Sequence, residues 1–169
     1  MQFTFCPDCG GRLIKKSIGD EGEIPFCESC GRPWFSFSYP CVICLLTDGA
    51  GNYALIRQTY ATKNYVCVAG FIKEQETAEQ TAAREICEET GLEVLNMRYV
   101  GSYYYPKHDN LMLGYLCTVK RGEFRLSGEV ERAGWFGLEE TRELLSHGTV
   151  GKELLRDSLK QGTQKGWFI

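Results

Sequence analysis

Three glutamates, Glu85, Glu88 and Glu89, crowd into five residues of the run "TAEQTAAREICEETG" that spans 77–91. On a helix, side chains at i, i+3 and i+4 share a face, so the spacing stacks Glu85 on Glu89 with Glu88 beside them. Like charges so placed repel, and the arrangement costs stability unless solvent or a cation neutralises it. Hard divalent cations take carboxylate oxygens, so where a cation and not solvent neutralises the cluster, the chemistry on offer is that of a bound metal ion. The helix that must carry them has its own signals. Thr77 reads as the N-cap, Ala78, Ala82 and Ile86 form an apolar stripe at i, i+4 and i+8, and Gly91 stops the run. Glu85 and Glu89 border that stripe while Glu88 turns outward, which places the charges where core meets solvent.

A second constellation is made of sulfur. Cys6-x2-Cys9 and Cys27-x2-Cys30 are separated by seventeen residues, a tetrahedral zinc spacing, and a glycine follows Cys9 and Cys30. This predicts a structural Zn²⁺ in a small ribbon over 1–38, followed by a second domain over 39–169. The ribbon carries four basic residues, Arg12, Lys15, Lys16 and Arg32, against five acidic ones, which does not favour phosphate-backbone binding. Cys41, Cys44, Cys67, Cys87 and Cys117 sit in apolar runs and read as core residues. Cys41-x2-Cys44 cannot grip one ion from a strand, whose alternate side chains face opposite ways.

At 169 residues, 43% hydrophobic and 24% charged, the chain can bury a core of one ordinary domain plus an appendage. No apolar run reaches 18 residues and "MQFTFCPDC" lacks the order of a signal peptide, so the expectation is a cytoplasmic protein without a membrane partner. A net charge of −3 argues against a nucleic-acid polymer as main partner and leaves a small phosphorylated ligand open. "CVICLLT" and "YALIRQTY" read as strands joined by the turn "DGAGN"; "YVCVAG", "LEVLNMRYVGSYYYP" and "LMLGYLCTVK" are further strands. "GWFGLEE" leads into a short helix, and another helix is expected near 149–161. Strands and helices mix without strict alternation, which predicts an α+β fold with a mixed sheet.

Taken whole, Gly70, Glu76, Arg84-Glu85-Ile86, Glu88-Glu89 and Gly91-Leu92 fit the Nudix box at all nine specified positions over 23 residues, and the chain resembles a Nudix hydrolase. The resemblance implies an α/β/α sandwich and a Mg²⁺- or Mn²⁺-dependent pyrophosphohydrolase. It implies Glu85 and Glu89 as principal metal ligands, Glu88 as a third, and the Ala69 carbonyl completing the shell. Glu129, six residues before Trp135, matches a further metal-binding or base glutamate, with Glu131 as its confounder. Glu89 or Glu129 activates the water. Arg84 orients a glutamate rather than touching substrate, and Gly70 is read as allowing a tight turn.

The ribbon placed directly before the catalytic domain is similar to the NADH pyrophosphatase group, as are "PCVICLL", "VAGFIKEQET", "NMRYVGS", "LMLGY" and "GTV" at 148–150. That group implies cleavage of NADH-like or other nucleoside-diphosphate-linked compounds into two monophosphates, and a homodimer. Its signature Ser-Gln-Pro-Trp-x-Phe-Pro-x-Ser followed by Leu-Met falls on "SYYYPKHDN" and Leu111-Met112. Ser102, Leu111 and Met112 are kept, while Tyr103, Tyr105 and Lys107 replace the Gln, Trp and Phe. Tyr103 and Tyr105 either stack on a nucleotide ring or pack in the core. Phe71 and Gly151 match substrate-contacting positions, the latter through backbone. ADP-ribose, FAD or the capped end of an RNA are alternative substrates, and a catalytically silent nucleotide-sensing module is the alternative class. His108 and His147 are given no role.

Overall fold

The computed structural model describes residues 3–60, 64–145 and 149–163. The chain divides into two compact units, Met1–Tyr39 and Pro40–Ile169. In the first, β1 (Ile14–Ser17), β2 (Glu23–Cys27) and β3 (Arg32–Pro33) form an antiparallel three-stranded sheet, which the cysteine spacing alone did not announce. Phe3 packs edge-on against Trp34, and the Arg32 guanidinium lies over the same Trp34 ring at 4.4 Å. These few aromatic contacts are a small core for a segment this short.

The second unit is built on a six-stranded mixed sheet. β7 (Val94–Tyr105), β8 (Asn110–Val119), β4 (Tyr39–Thr47), β5 (Asn52–Gln58) and β9 (Val130–Gly137) lie in that order, and β6 (Val68–Phe71) pairs with the first half of β4. Helix α1 (Ala78–Thr90) covers one face; α2 (Leu138–Leu144) and α3 (Thr149–Thr163) serve the other.

β4 shows why its sequence is an unbroken apolar run. Val42, Cys44 and Leu46 point into the core beneath α1, whereas Cys41, Ile43 and Leu45 point into the core beneath α3. A strand buried on both faces has no polar side to alternate with. Cys41 and Cys44 therefore face opposite ways, as their spacing requires. Cys67 and Cys117 are buried too, but Cys87 is exposed on the outward side of α1, a correction to its reading as a core residue.

α1 begins and ends on the residues that its sequence names. Thr77 Oγ1 accepts the Gln80 N–H while the Gln80 side chain accepts the Thr77 N–H, a reciprocal capping box. At the other end Gly91 adopts a left-handed φ of 70° and donates to the Cys87 carbonyl. Ala82 and Ile86 are fully buried, and burying an isoleucine contributes roughly 1.5–3 kcal/mol. This apolar stripe fixes the rotation of α1, and with it the direction of every glutamate on the helix.

Candidate active site

Glu85 lies against the sheet. Its carboxylate lies so near the backbone of β6 that a Cβ placed on Gly70 would fall 2.1 Å from Glu85 Cδ and Oε1. Gly70 has no unusual φ, so its role is clearance for the carboxylate rather than the tight turn expected of it. Ala69, beside it on β6, is partly buried against the α3-side core.

Arg84 ties the acidic residues together. Its Nε and Nη2 donate to the two Glu76 oxygens at 2.7 and 2.9 Å, its Nη1 to Glu85 Oε1 at 2.6 Å and Glu88 Oε2 at 3.0 Å, and its Nη2 also to the Phe71 carbonyl at 3.3 Å. Bidentate guanidinium–carboxylate pairing is strong and directional. With Thr81 adding a bond at 2.8 Å, Glu76 is held down to about 2, the Arg84 bonds being the larger cause, and Arg84 is itself pushed above its usual range.

Glu89 is in the opposite condition. Only 4% of it is exposed, and its Oε2 is buried with no hydrogen-bond partner. Burial first, then the charge of Glu85, raises its carboxyl to about 7, with Glu129 and Glu88 adding to the rise and a Gln58 hydrogen bond opposing it. An orphaned carboxylate oxygen among other carboxylates fits a divalent cation, because hard oxygen donors are what such an ion takes.

Glu129 arrives from another element, immediately before β9. It is exposed, and its Oε2 lies 3.4 Å from the Tyr60 hydroxyl. Glu131, two residues on, is committed elsewhere: Arg57 Nε and Nη2 donate to its two oxygens at 3.0 and 2.6 Å. Gln58, Tyr60 and Thr81 escaped the sequence reading. Thr81 stands one turn before Glu85 on α1 but serves Glu76, whereas Gln58 and Tyr60 have no fixed spacing to the glutamates and come near only through the pairing of β5 with β9.

The expected nucleotide-contacting residues are dispersed. Phe71 is 56% exposed at the end of β6, and its carbonyl meets Arg84. Tyr103 belongs to the core on the α3 face, away from α1; its ring fills the space over Gly114 and its hydroxyl donates to Asp157 at 3.3 Å. Tyr105 packs partly against the same core with its ring 5.6 Å from that of His108. Gly151 is buried in α3, where a Cβ would meet Leu145 at 3.3 Å and Cys67 at 3.5 Å, so it permits close packing of that helix. His147 and Gly148 lie outside the described residues.

In the ribbon the four sulfurs of Cys6, Cys9, Cys27 and Cys30 all lie within 4.8 Å of one another, with Cys6–Cys30 at 3.8 Å and Cys9–Cys27 at 3.5 Å. Sulfurs about 2.3 Å from a tetrahedral zinc stand roughly 3.8 Å apart, so the cluster fits that ion. Gly10 and Gly31, at φ of 72° and 68°, let each knuckle close through bonds from their N–H groups to the Cys6 and Cys27 carbonyls. The crowding of sulfurs pushes the Cys30 thiol up to about 12, chiefly through Cys9 and Cys27.

A sheet sandwiched by helices, with an acidic helix laid against a strand cleared by glycine, defines a class by architecture and site together. The NUDIX domain model matches residues 38–157, and the chain belongs to that family. It is 30% identical over 158 residues to the NAD-capped RNA hydrolase NudC of Vibrio cholerae serotype O1, covering 93% of this chain and 58% of that protein. To its counterpart in Vibrio parahaemolyticus it is 31% identical over 160 residues, covering 93% and 60%. The chain thus spans less than two thirds of the length of these curated relatives. A crystal structure of a NUDIX hydrolase from Nitrosomonas europaea superposes with a TM-score of 0.78 over 99% of this chain and 97% of that one, at 22% identity, and so shares the fold.

Proposed function

We propose that this chain hydrolyses the pyrophosphate bond of NADH-like or other nucleoside-diphosphate-linked compounds, giving two monophosphates. The observation that carries the reading is the Gly70–Glu85–Glu89 arrangement: a backbone cleared for one carboxylate, and a second, buried carboxylate whose Oε2 lacks a partner. Glu85 and Glu89 are the principal holders of Mg²⁺ or Mn²⁺, with Glu88, the Ala69 carbonyl and Glu129 completing the set. A divalent ion bound there lowers the pKa of a coordinated water and offsets charge building on the phosphate oxygens.

The rest falls to side chains of the chain itself. Arg84 is anchored by Glu76 and fixes Glu85 and Glu88 in direction. Glu89 or Glu129 takes the proton as water attacks phosphorus and the bridging P–O bond breaks, so one phosphate leaves on each half of the substrate. Phe71, exposed beside Gly70, offers a ring to the nucleotide in this reading. Tyr103 serves packing, and Tyr105 is the remaining tyrosine candidate for a base contact. The ribbon holds Zn²⁺ for stability. A homodimer in the cytoplasm completes the proposal.

The names of the curated relatives favour a second substrate form, the same dinucleotide linkage at the 5′ end of an RNA. The test is a Mg²⁺-supported comparison of NADH, NAD⁺, ADP-ribose, FAD, nucleoside triphosphates and an NAD-capped oligoribonucleotide, with products identified. Monophosphate pairs from the dinucleotides are expected. Glu85→Gln and Glu89→Gln should stay folded and lose turnover by about 100-fold or more. Undiminished product from both would overturn the site, and binding without any turnover in the parent protein would favour the silent sensing module.

A further inference from the structure

We propose that Tyr60 is a positioning residue that holds the Glu129 carboxylate toward the glutamates of α1, an inference that rests on the hydrolase reading above. Three consecutive residues at the end of β5 reach the acidic cluster. Gln58 hydrogen-bonds Glu89. Thr59 donates both its N–H, at 2.9 Å, and its hydroxyl, at 3.3 Å, to the Glu129 carbonyl. The Tyr60 hydroxyl meets Glu129 Oε2 at 3.4 Å, a separation of the kind that tightens when a site is filled.

Glu129 has its backbone clamped on the other side as well, since its N–H donates to Ser127 Oγ at 3.3 Å. What stays free is the rotation of its side chain, and that is what the Tyr60 hydroxyl restrains. Packing does not explain Tyr60, which is 67% exposed.

The contrast with Glu131 gives the reason for a tyrosine. Glu131 has both carboxylate oxygens engaged by a bidentate arginine, which offsets its charge locally. A neutral hydroxyl orients Glu129 without cancelling its charge, which leaves the carboxylate available to a cation or a proton.

The experiment compares Tyr60→Phe, Tyr60→Ala, Glu129→Ala and the Tyr60→Phe/Glu129→Ala pair. The readouts are kcat and KM on a dinucleotide at saturating Mg²⁺, and Mn²⁺ affinity by titration without substrate. Loss of one long, exposed hydrogen bond predicts that Tyr60→Phe lowers kcat and Mn²⁺ affinity by about 3- to 10-fold with KM nearly unchanged. In the Glu129→Ala background the same change should have no further effect. Parent values in Tyr60→Phe, or an undiminished effect in the absence of Glu129, would overturn the proposal. So would a raised KM confined to Tyr60→Ala, which would mean the ring stacks on substrate. The parent protein and Glu85→Gln are the controls: no turnover by the parent sinks the hydrolase reading and full turnover by Glu85→Gln sinks its site, whereas loss of turnover in Glu85→Gln while Tyr60→Phe stays at parent values sinks only the role of Tyr60.

Discussion

Replacing Gly70 by alanine separates fold from chemistry. The added methyl would stand 2.1 Å from Glu85 Cδ and Oε1 and 2.5 Å from Cγ, where ordinary contact begins at 3.4 Å, so the carboxylate must withdraw by about 1.3 Å. It can do so, because the atoms in conflict are the far end of a flexible side chain. Gly70 has no left-handed φ, and alanine there restricts the unfolded chain, favouring the fold by roughly 0.4–1 kcal/mol. The loss of the Glu85–Arg84 pair offsets part of that gain. The melting temperature should therefore change little. A misplacement of about 1 Å at a reacting centre costs about 100-fold in rate, and that is the expected fall in turnover, accompanied by weakened Mn²⁺ binding. Thermal melts, steady-state kinetics and Mn²⁺ titration on one preparation decide it. Parent turnover with parent Mn²⁺ affinity would refute the reasoning. So would a large loss of stability, since the strain would then have been taken by β6 and not by the carboxylate.

Two other predictions follow from the acidic cluster and the ribbon. Glu89 rises from 4.5 to about 7 on folding, so it favours the folded state fully below about pH 4.5, and that stability is lost as pH climbs through 7. At about 1.4 kcal/mol for each tenfold change, metal-free Glu89→Gln should outlast the parent by up to roughly 3 kcal/mol at pH 8 and lose that advantage below pH 4.5. Denaturant unfolding in chelator across this range checks the sign, and an advantage that grows on acidification would contradict it. Cys27→Ser, by removing one of four sulfurs, should drop zinc content from one ion per chain toward zero by elemental analysis; retained stoichiometric zinc would contradict the ribbon assignment.

Much of the fold could be read from local pattern, and the exceptions have physical causes. α1 is framed by a capping box, an apolar stripe and a left-handed glycine, all local signals, and it forms where they place it. β4 and β5 were visible as apolar runs around a turn whose Asp48 side chain accepts the Ala50 and Asn52 N–H groups. β9 was missed because "VERAGWFG" lies at the sheet edge and lacks clean alternation. The box glutamates follow from helical spacing, but Tyr60 and Gln58 reach them only through the β5–β9 pairing, which has no local trace. Gly70 was visible as a glycine, yet its purpose depends on a side chain fifteen positions away. Tyr103 could not be assigned from sequence because an aromatic on a strand suits a pocket or a core equally; Gly114 across the β7–β8 pair leaves the space its ring occupies.

The account stands on Glu85 and Glu89 together holding a divalent cation. Anomalous diffraction from crystals soaked in Mn²⁺ tests this directly: a manganese peak bounded by the Glu85 and Glu89 carboxylates is predicted. Strong manganese binding elsewhere on the chain, with those two carboxylates left without an ion, would contradict it.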